Sequence, residues 1–174
     1  WGNAFGLDHI ASVQYTADSR YSRLNALSGV YTIPTRKRNF LTVYGSYADI
    51  DSAAVFPFDQ GGSSWQTSIR YDWELFPGYC WPRSCEEHHL QFGFDFKQSD
   101  TNLDFGGVNV FNTTTEIAQL VLGYTGRFED CCGTSSIGAE AYLSPGGFSG
   151  HNNTADFMLV RPFATADYFY TRLN

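Results

Sequence analysis

Along most of this chain large apolar side chains alternate with polar ones at a period of two, in block after block. Only β-strands with two chemically different faces satisfy such a pattern. Between Trp65 and Leu75 the odd positions hold Trp65, Thr67, Ile69, Tyr71, Trp73 and Leu75, and the even ones Gln66, Ser68, Arg70, Asp72 and Glu74. Between Leu90 and Lys97 the split is sharper, with Leu90, Phe92, Phe94 and Phe96 against Gln91, Gly93, Asp95 and Lys97. Further on, Leu120, Leu122 and Tyr124 oppose Gln119, Gly123, Thr125 and Arg127, and Ile137, Ala139, Ala141 and Leu143 oppose Gly138, Glu140 and Tyr142. Leu41, Val43, Gly45 and Tyr47 alternate with Thr42, Tyr44, Ser46 and Ala48. Two earlier blocks, about residues 5–16 and 24–33, put Leu7, Ala11, Val13 and Tyr15, then Leu27, Tyr31 and Ile33, on the apolar face. The last block, 165–173, is ambiguous in phase. Helical periodicity fails almost everywhere, so the expected fold is all-β and antiparallel, with eight strands of about ten residues.

About ten residues is what a tilted strand needs to cross a bilayer. The connections add a second signal. Residues 34–39 and 129–133 read as tight turns, whereas 51–62, 99–114 and 144–164 read as long loops rich in Gly, Asn and Asp. Short turns on one side and long loops on the other characterise outer-membrane β-barrels, with the short turns periplasmic. In that fold Trp65, Ile69, Tyr71, Trp73, Leu90, Phe92, Phe94 and Phe96 face lipid, and Tyr15, Tyr47, Trp65, Trp73 and Phe96 sit at the interfacial girdles. Gln66, Arg70, Asp72, Glu74, Gln91, Asp95, Lys97, Gln119, Arg127 and Glu140 then face the lumen, either pairing with each other as filling or lining a hydrophilic conduit. Two other architectures suit the same pattern: a soluble β-sandwich binding module, and a small closed eight-stranded barrel with a structural or lipid-modifying role. A sandwich stays in the aqueous fraction, whereas a barrel partitions into membranes.

Composition narrows the classes. The 18 acidic and 11 basic side chains give −7, the wrong sign for a nucleic-acid binder. Fifteen Phe, 11 Tyr and 4 Trp exclude a disordered chain. No apolar run approaches the roughly 18 residues of a spanning helix. The chain opens at Trp1 without an initiator Met and stops at Asn174 inside a strand-like run, which reads as a piece of a longer protein. Cys80, Cys85, Cys131 and Cys132 fall in two tight groups without zinc spacing, so disulfides in an oxidising compartment are expected. Cys80 pairs with Cys85, or Cys131 or Cys132 bridges the two turns; the spacing leaves both open.

Catalytic and cofactor motifs are not found. Asp100-Thr101-Asn102-Leu103-Asp104-Phe105-Gly106 begins like a calcium loop, but Phe105 stands at the turn-glycine position and no Glu supplies the bidentate ligand. Gly147-Phe148-Ser149-Gly150-His151 misses the nucleophile elbow by a position. His9, His88, His89 and His151 are scattered and read as surface histidines, and Arg36-Lys37-Arg38 reads as a solvated turn. The sequons at Asn112 and Asn152 are short patterns common by chance. The expectation is a non-enzyme that uses no metal or cofactor.

Several segments in order resemble the translocation barrel of two-partner secretion transporters, the haemolysin secretion/activation (ShlB/FhaC/HecB) family. They are Ser28-Gly29-Val30-Tyr31-Thr32-Ile33-Pro34 followed by Leu41-Thr42-Val43-Tyr44-Gly45-Ser46-Tyr47, then Ser64-Trp65-Gln66 with Ile69-Arg70-Tyr71. Phe92-Gly93-Phe94-Asp95-Phe96-Lys97, Asp104-Phe105-Gly106-Gly107, Gln119-Leu120 with Gly123-Tyr124, Ser144-Pro145-Gly146-Gly147 and Tyr168-Phe169-Tyr170-Thr171-Arg172 continue the series. The resemblance implies a sixteen-stranded outer-membrane barrel that exports, and activates, one large partner exoprotein entering unfolded from the periplasm. This chain would supply its first eight strands. The family's periplasmic polypeptide-binding (POTRA) domains and its lumenal Arg loop are not in this chain, so partner-recognition residues are not carried over. Paired cysteines are not a feature of the family.

Overall fold

The computed structural model describes residues 1–19, 23–35, 38–52, 58–75, 80–81, 84–130 and 132–174. Eight long strands form one antiparallel meander: β1 (Ile10–Ala17), β2 (Leu24–Pro34), β3 (Phe40–Ser52), β4 (Phe58–Glu74), β6 (Ser84–Phe105), β7 (Val108–Asp130), β8 (Gly133–Pro145) and β9 (Asp167–Leu173). A two-residue strand, β5 (Cys80–Trp81), pairs with the start of β6. The one helix among the described residues, α1 (Thr154–Val160), lies between β8 and β9 and is N-capped by Asn153, whose side-chain oxygen accepts from the Asp156 N–H.

The chain is all-β, as its alternation requires, but the sheet is open. Each long strand pairs with its sequence neighbour, and among the described residues β1 and β9 do not pair with each other. A closed eight-stranded barrel is therefore not formed. Nor does a second sheet pack on this one among the described residues, so the sandwich arrangement is absent there.

Three strand expectations need correction. The first block begins at Ile10 rather than Phe5, because Asn3, Phe5, Gly6 and Asp8 all adopt positive φ and fold residues 3–8 into a turn. The supposed loop at 99–114 is the tip of a long hairpin: β6 runs 22 residues and β7 runs 23, joined by Gly106 and Gly107 at φ of 59° and 81°. Two consecutive left-handed residues make the type I′ turn whose twist matches a hairpin. Likewise β3 extends to Ser52 and β4 begins at Phe58, so residues 51, 52 and 58–62 of the expected 51–62 loop are strand, and residues 53–57 lie outside the described set. At ~3.3 Å per residue β6 is ~70 Å long, more than twice a bilayer crossing. The long connection after β8 is as expected, with a short helix inside it.

Register turns the alternation into two continuous faces. One row runs Ala11, Tyr31, Val43, Ile69, Phe94, Leu120, Leu143 and Phe169 across all eight strands, and the next runs Ile33, Leu41, Tyr71, Phe92, Leu122 and Ala141. Phe169, Thr171 and Leu173 thus fix the phase the last block left open. The opposite face carries Ser68, Asp95 and Gln119 in one row and Asp72, Gln91, Gly123, Glu140 and Arg172 in another.

The burial of these faces is inverted relative to a water-soluble protein. On the apolar face Val13 is 76% exposed and Leu120 52%, while on the polar face Asp95 is 3% and Glu74 5% exposed. Among the described residues only Ala4, Ala118, Val121, Phe157 and Ala166 are buried apolar side chains. The polar face is the concave one, since its side chains reach across strands: the Tyr168 hydroxyl on β9 donates to Gln119 on β7 over a distance of 2.8 Å.

Candidate functional site: the two faces of the sheet

All ten polar candidates stand on the concave face. Gln66, Arg70, Asp72 and Glu74 of β4 lie opposite Lys97, Gly93, Gln91 and His89 of β6, and Asp95, Gln91 and Glu87 lie opposite Gln119, Gly123 and Arg127 of β7. Glu140 of β8 faces Gly123. The eight apolar candidates, Trp65, Ile69, Tyr71, Trp73, Leu90, Phe92, Phe94 and Phe96, share the convex face.

At mid-height the concave face is knitted by one network. Arg70 Nη2 lies 2.7 and 2.8 Å from the two carboxylate oxygens of Asp95, and Gln119 Nε2 donates to Asp95 at 2.8 Å. Tyr168 completes it through the Gln119 carbonyl oxygen. Arg70 crosses β6 directly over Gly93, where any Cβ would run into its side chain. A charge pair this buried needs such dense hydrogen bonding to offset its desolvation. Below it Asp72 Oδ1 meets His89 Nδ1 at 2.7 Å, and Glu74 meets Arg38 at 3.5 Å and receives the side-chain oxygen of Asn39 at its backbone N–H. Tyr142 stacks on Tyr170 with centroids 4.6 Å apart and donates to Glu140 at 2.8 Å.

Higher up the charges give way to small side chains. Ser46, Ala48, Gly62, Ser64, Ser99, Thr101 and Thr115 occupy the concave face there and line two adjacent hollows of about 280 and 260 Å³. Lys97 lies at the border between the charged belt and this hydroxyl-lined region.

The convex face is a band with rims. Above Tyr15, Leu27, Tyr47 and Trp65, which form one row, the same face changes to Asn25, Asp49, Ser63 and Asp100. From Trp65 down to Trp73 the band covers nine residues of β4. The amphipathic rings at its rims point their polar atoms away from it: Tyr15 to Asn25 (2.9 Å) and Trp65 to Gln98 (3.1 Å) at the upper rim. At the lower rim Tyr71 meets Asn39 (3.1 Å), Tyr124 meets His88 (2.8 Å) and Tyr31 meets His9 (2.6 Å). His9, His88 and His89 therefore sit in rim and belt contacts, and His151 pairs with Asp156 in the β8–β9 loop.

Sequence reasoning missed Ser68, Gly93, Tyr142, Tyr168 and Tyr170 as parts of the concave network. The first three follow the alternation but are not charged, and Tyr168 and Tyr170 fall in the block of ambiguous phase. Of the disulfide candidates, the register sets Cys80 opposite Cys85 and Cys132 is exposed. The side chains of Cys80 and Cys85, the whole of Cys131, and Arg36 and Lys37 lie outside the described residues. Among the described residues no group of His, Cys, Asp and Glu is arranged to hold a metal ion.

No family model, no curated protein and no solved structure matches this chain.

Proposed function

We propose that the chain forms part of the wall of an outer-membrane β-barrel, with its convex face in lipid and its concave face along a water-filled conduit. The observation that carries this reading is the inversion of burial: charged Asp95 and Glu74 are shielded, while leucines, isoleucines and aromatics are exposed over an eight-strand surface. In water such a surface is costly, at about 25 cal/mol per Å² of apolar area. In hydrocarbon it is the favourable state, provided that every backbone group pairs within the sheet. The aromatic rims support it further, because a ring with one polar atom is most stable where apolar and aqueous media meet.

Within that reading the cargo is an unfolded exoprotein, exported and activated by the two-partner route. What supports this narrower step is the order of sequence segments resembling the secretion-transporter family. Passage is passive: an extended chain slides past paired charges, which offer hydrogen bonds without a strong net field, and folding outside supplies direction. No nucleotide is needed.

Cysteine scanning in outer membranes tests the wall, in a variant whose own four cysteines are serine. Ile69→Cys and Leu120→Cys should resist a membrane-impermeant maleimide, whereas Gln66→Cys should react. Equal labelling at all three, with the protein in the aqueous fraction, rejects a membrane wall. For the cargo, a photo-crosslinker placed at Gln66 should trap a large exported polypeptide in living cells. Capture of outer-membrane neighbours alone removes the export reading and leaves the conduit.

A further inference from the structure

The cations of the concave face are not equivalent. Arg70 is held by Asp95, Arg38 by Glu74, and Arg172 donates to the Asn174 side chain. Neither Lys97 nor Arg127 has an ion pair or hydrogen bond to its charged group among the described residues, but Arg127 is exposed near the end of β7, whereas Lys97 is half-buried. The nearest concave-face carboxylate along β6, Asp95, is already occupied by Arg70 and Gln119. Lys97 lines the hollow of about 260 Å³ together with Ser46, Ser64, Gln66, Gln98, Ser99 and Thr115, and no carboxylate lines it. One of these groups, the Thr115 hydroxyl oxygen, is buried from solvent and has no hydrogen-bond partner.

A half-buried ammonium without a counter-ion, beside a row of hydroxyls, has one chemical complement. An oxyanion accepts from the ammonium and from hydroxyl donors at once, and lysine serves phosphate as a point charge that needs no bidentate geometry. The row Ser64, Ser99 and Thr115 runs across three paired strands one step above Lys97 on the same face, and all four residues line the one hollow. An unsatisfied buried hydroxyl such as that of Thr115 costs free energy until something accepts from it.

We propose that Lys97, with Ser64, Ser99 and Thr115, forms an oxyanion-binding station on the concave face. The station takes a small phosphate or carboxylate group. It rests on the reading of that face as water-filled, and it makes Lys97 the residue that sets the conduit's preference between anions and cations.

The test is a titration of inorganic phosphate into the full chain in detergent micelles, followed by backbone amide shifts. The expected result is saturable shifts confined to residues 64, 97, 99 and 115, at least tenfold weaker affinity in Lys97→Gln, and affinity near that of the parent in Lys97→Arg. An unchanged affinity in Lys97→Gln, or shifts located at the 35–39 turn, overturns the station. Far-UV circular dichroism establishes that Lys97→Gln keeps its sheet, and Thr115→Val, which leaves the charge in place, should weaken binding by a smaller factor. A parallel titration with acetate separates a carboxylate ligand from a phosphate one. Single-channel conductance in a planar bilayer tests the water-filled face separately: without conductance the conduit reading falls, while the titration still decides the station.

Discussion

Gly93 shows how much of the concave face depends on one missing methyl group. Arg70 stands opposite Gly93 in the register and reaches the carboxylate of Asp95 only by lying flat across the glycine. A Gly93→Ala change pushes the guanidinium toward solvent and leaves the buried Asp95 carboxylate with neutral donors only, Gln119 and Ser68. The expected loss is about 1–3 kcal/mol, the range for an under-satisfied buried charge whose partner is partly solvated. It would be read as a lowered urea midpoint of the micelle- or vesicle-bound chain. Replacing the pair together, by Arg70→Met with Asp95→Leu, should cost less than Asp95→Leu alone, which strands the arginine. A double-mutant cycle without coupling between the two positions would refute the pairing argument. Neither the pair nor the glycine's role was legible in the sequence. Alternation says that Arg70, Gly93 and Asp95 share a face, but their contact depends on a register that no local pattern encodes.

At the scale of strands, legibility follows the medium on each side. Where one face is apolar and the other polar, between Trp65 and Trp73 or Leu90 and Phe96, the period of two marks the strand and its phase without ambiguity. Just above Phe96, from Lys97 to Asn102 and from Asn112 to Glu116, both faces of β6 and β7 are polar, the contrast disappears, and Ser99 to Thr114 reads as a loop although it is hairpin. The signal that survives there is local: Phe105 and Val108 flank Gly106-Gly107, and two glycines at positive φ specify a tight turn. The turn yields a prediction. Gly106→Val should destabilise the tip by about 1–2 kcal/mol, because a β-branched residue disfavours φ near +60°, whereas Gly106→Asn is tolerated. Amide exchange at residues 103–111 measures the difference, and equal protection in both variants would contradict it. The same hairpin fixes orientation. A protease site inserted between Gly106 and Gly107 should be cut in intact cells, and one inserted beside Cys132 should be cut only after the outer membrane is opened. The reverse pattern would invert the sheet in the membrane.

The molecule as a whole has two problems that water leaves unsolved, an exposed apolar face and two open edges. Trp1 exchanges both backbone hydrogen bonds with Ala11, so the outer edge of β1 is formed by the alternate groups of Val13, Tyr15 and Ala17. Asn174 exchanges both of its bonds with Gly138, which turns the groups of Phe169, Thr171 and Leu173 outward on β9. In hydrocarbon each unpaired amide or carbonyl costs several kcal/mol, so the sheet is stable in lipid only when further strands cover these edges. An even number of long strands leaves β1 and β9 running in opposite directions, and each is therefore a competent antiparallel partner for the other edge of a second sheet of the same kind. The 174-residue chain placed alone in lipid vesicles should accordingly assemble, and should migrate on an unheated detergent gel above its 19.5 kDa mass. Without lipid or detergent it should aggregate. Val13→Pro and Thr171→Pro each remove one outward N–H and no bond inside the sheet, so they should weaken assembly while the strand signal in circular dichroism persists. A monodisperse monomer in plain buffer would mean that the apolar face and both edges are covered from within the chain, and it would overturn the membrane reading together with this prediction.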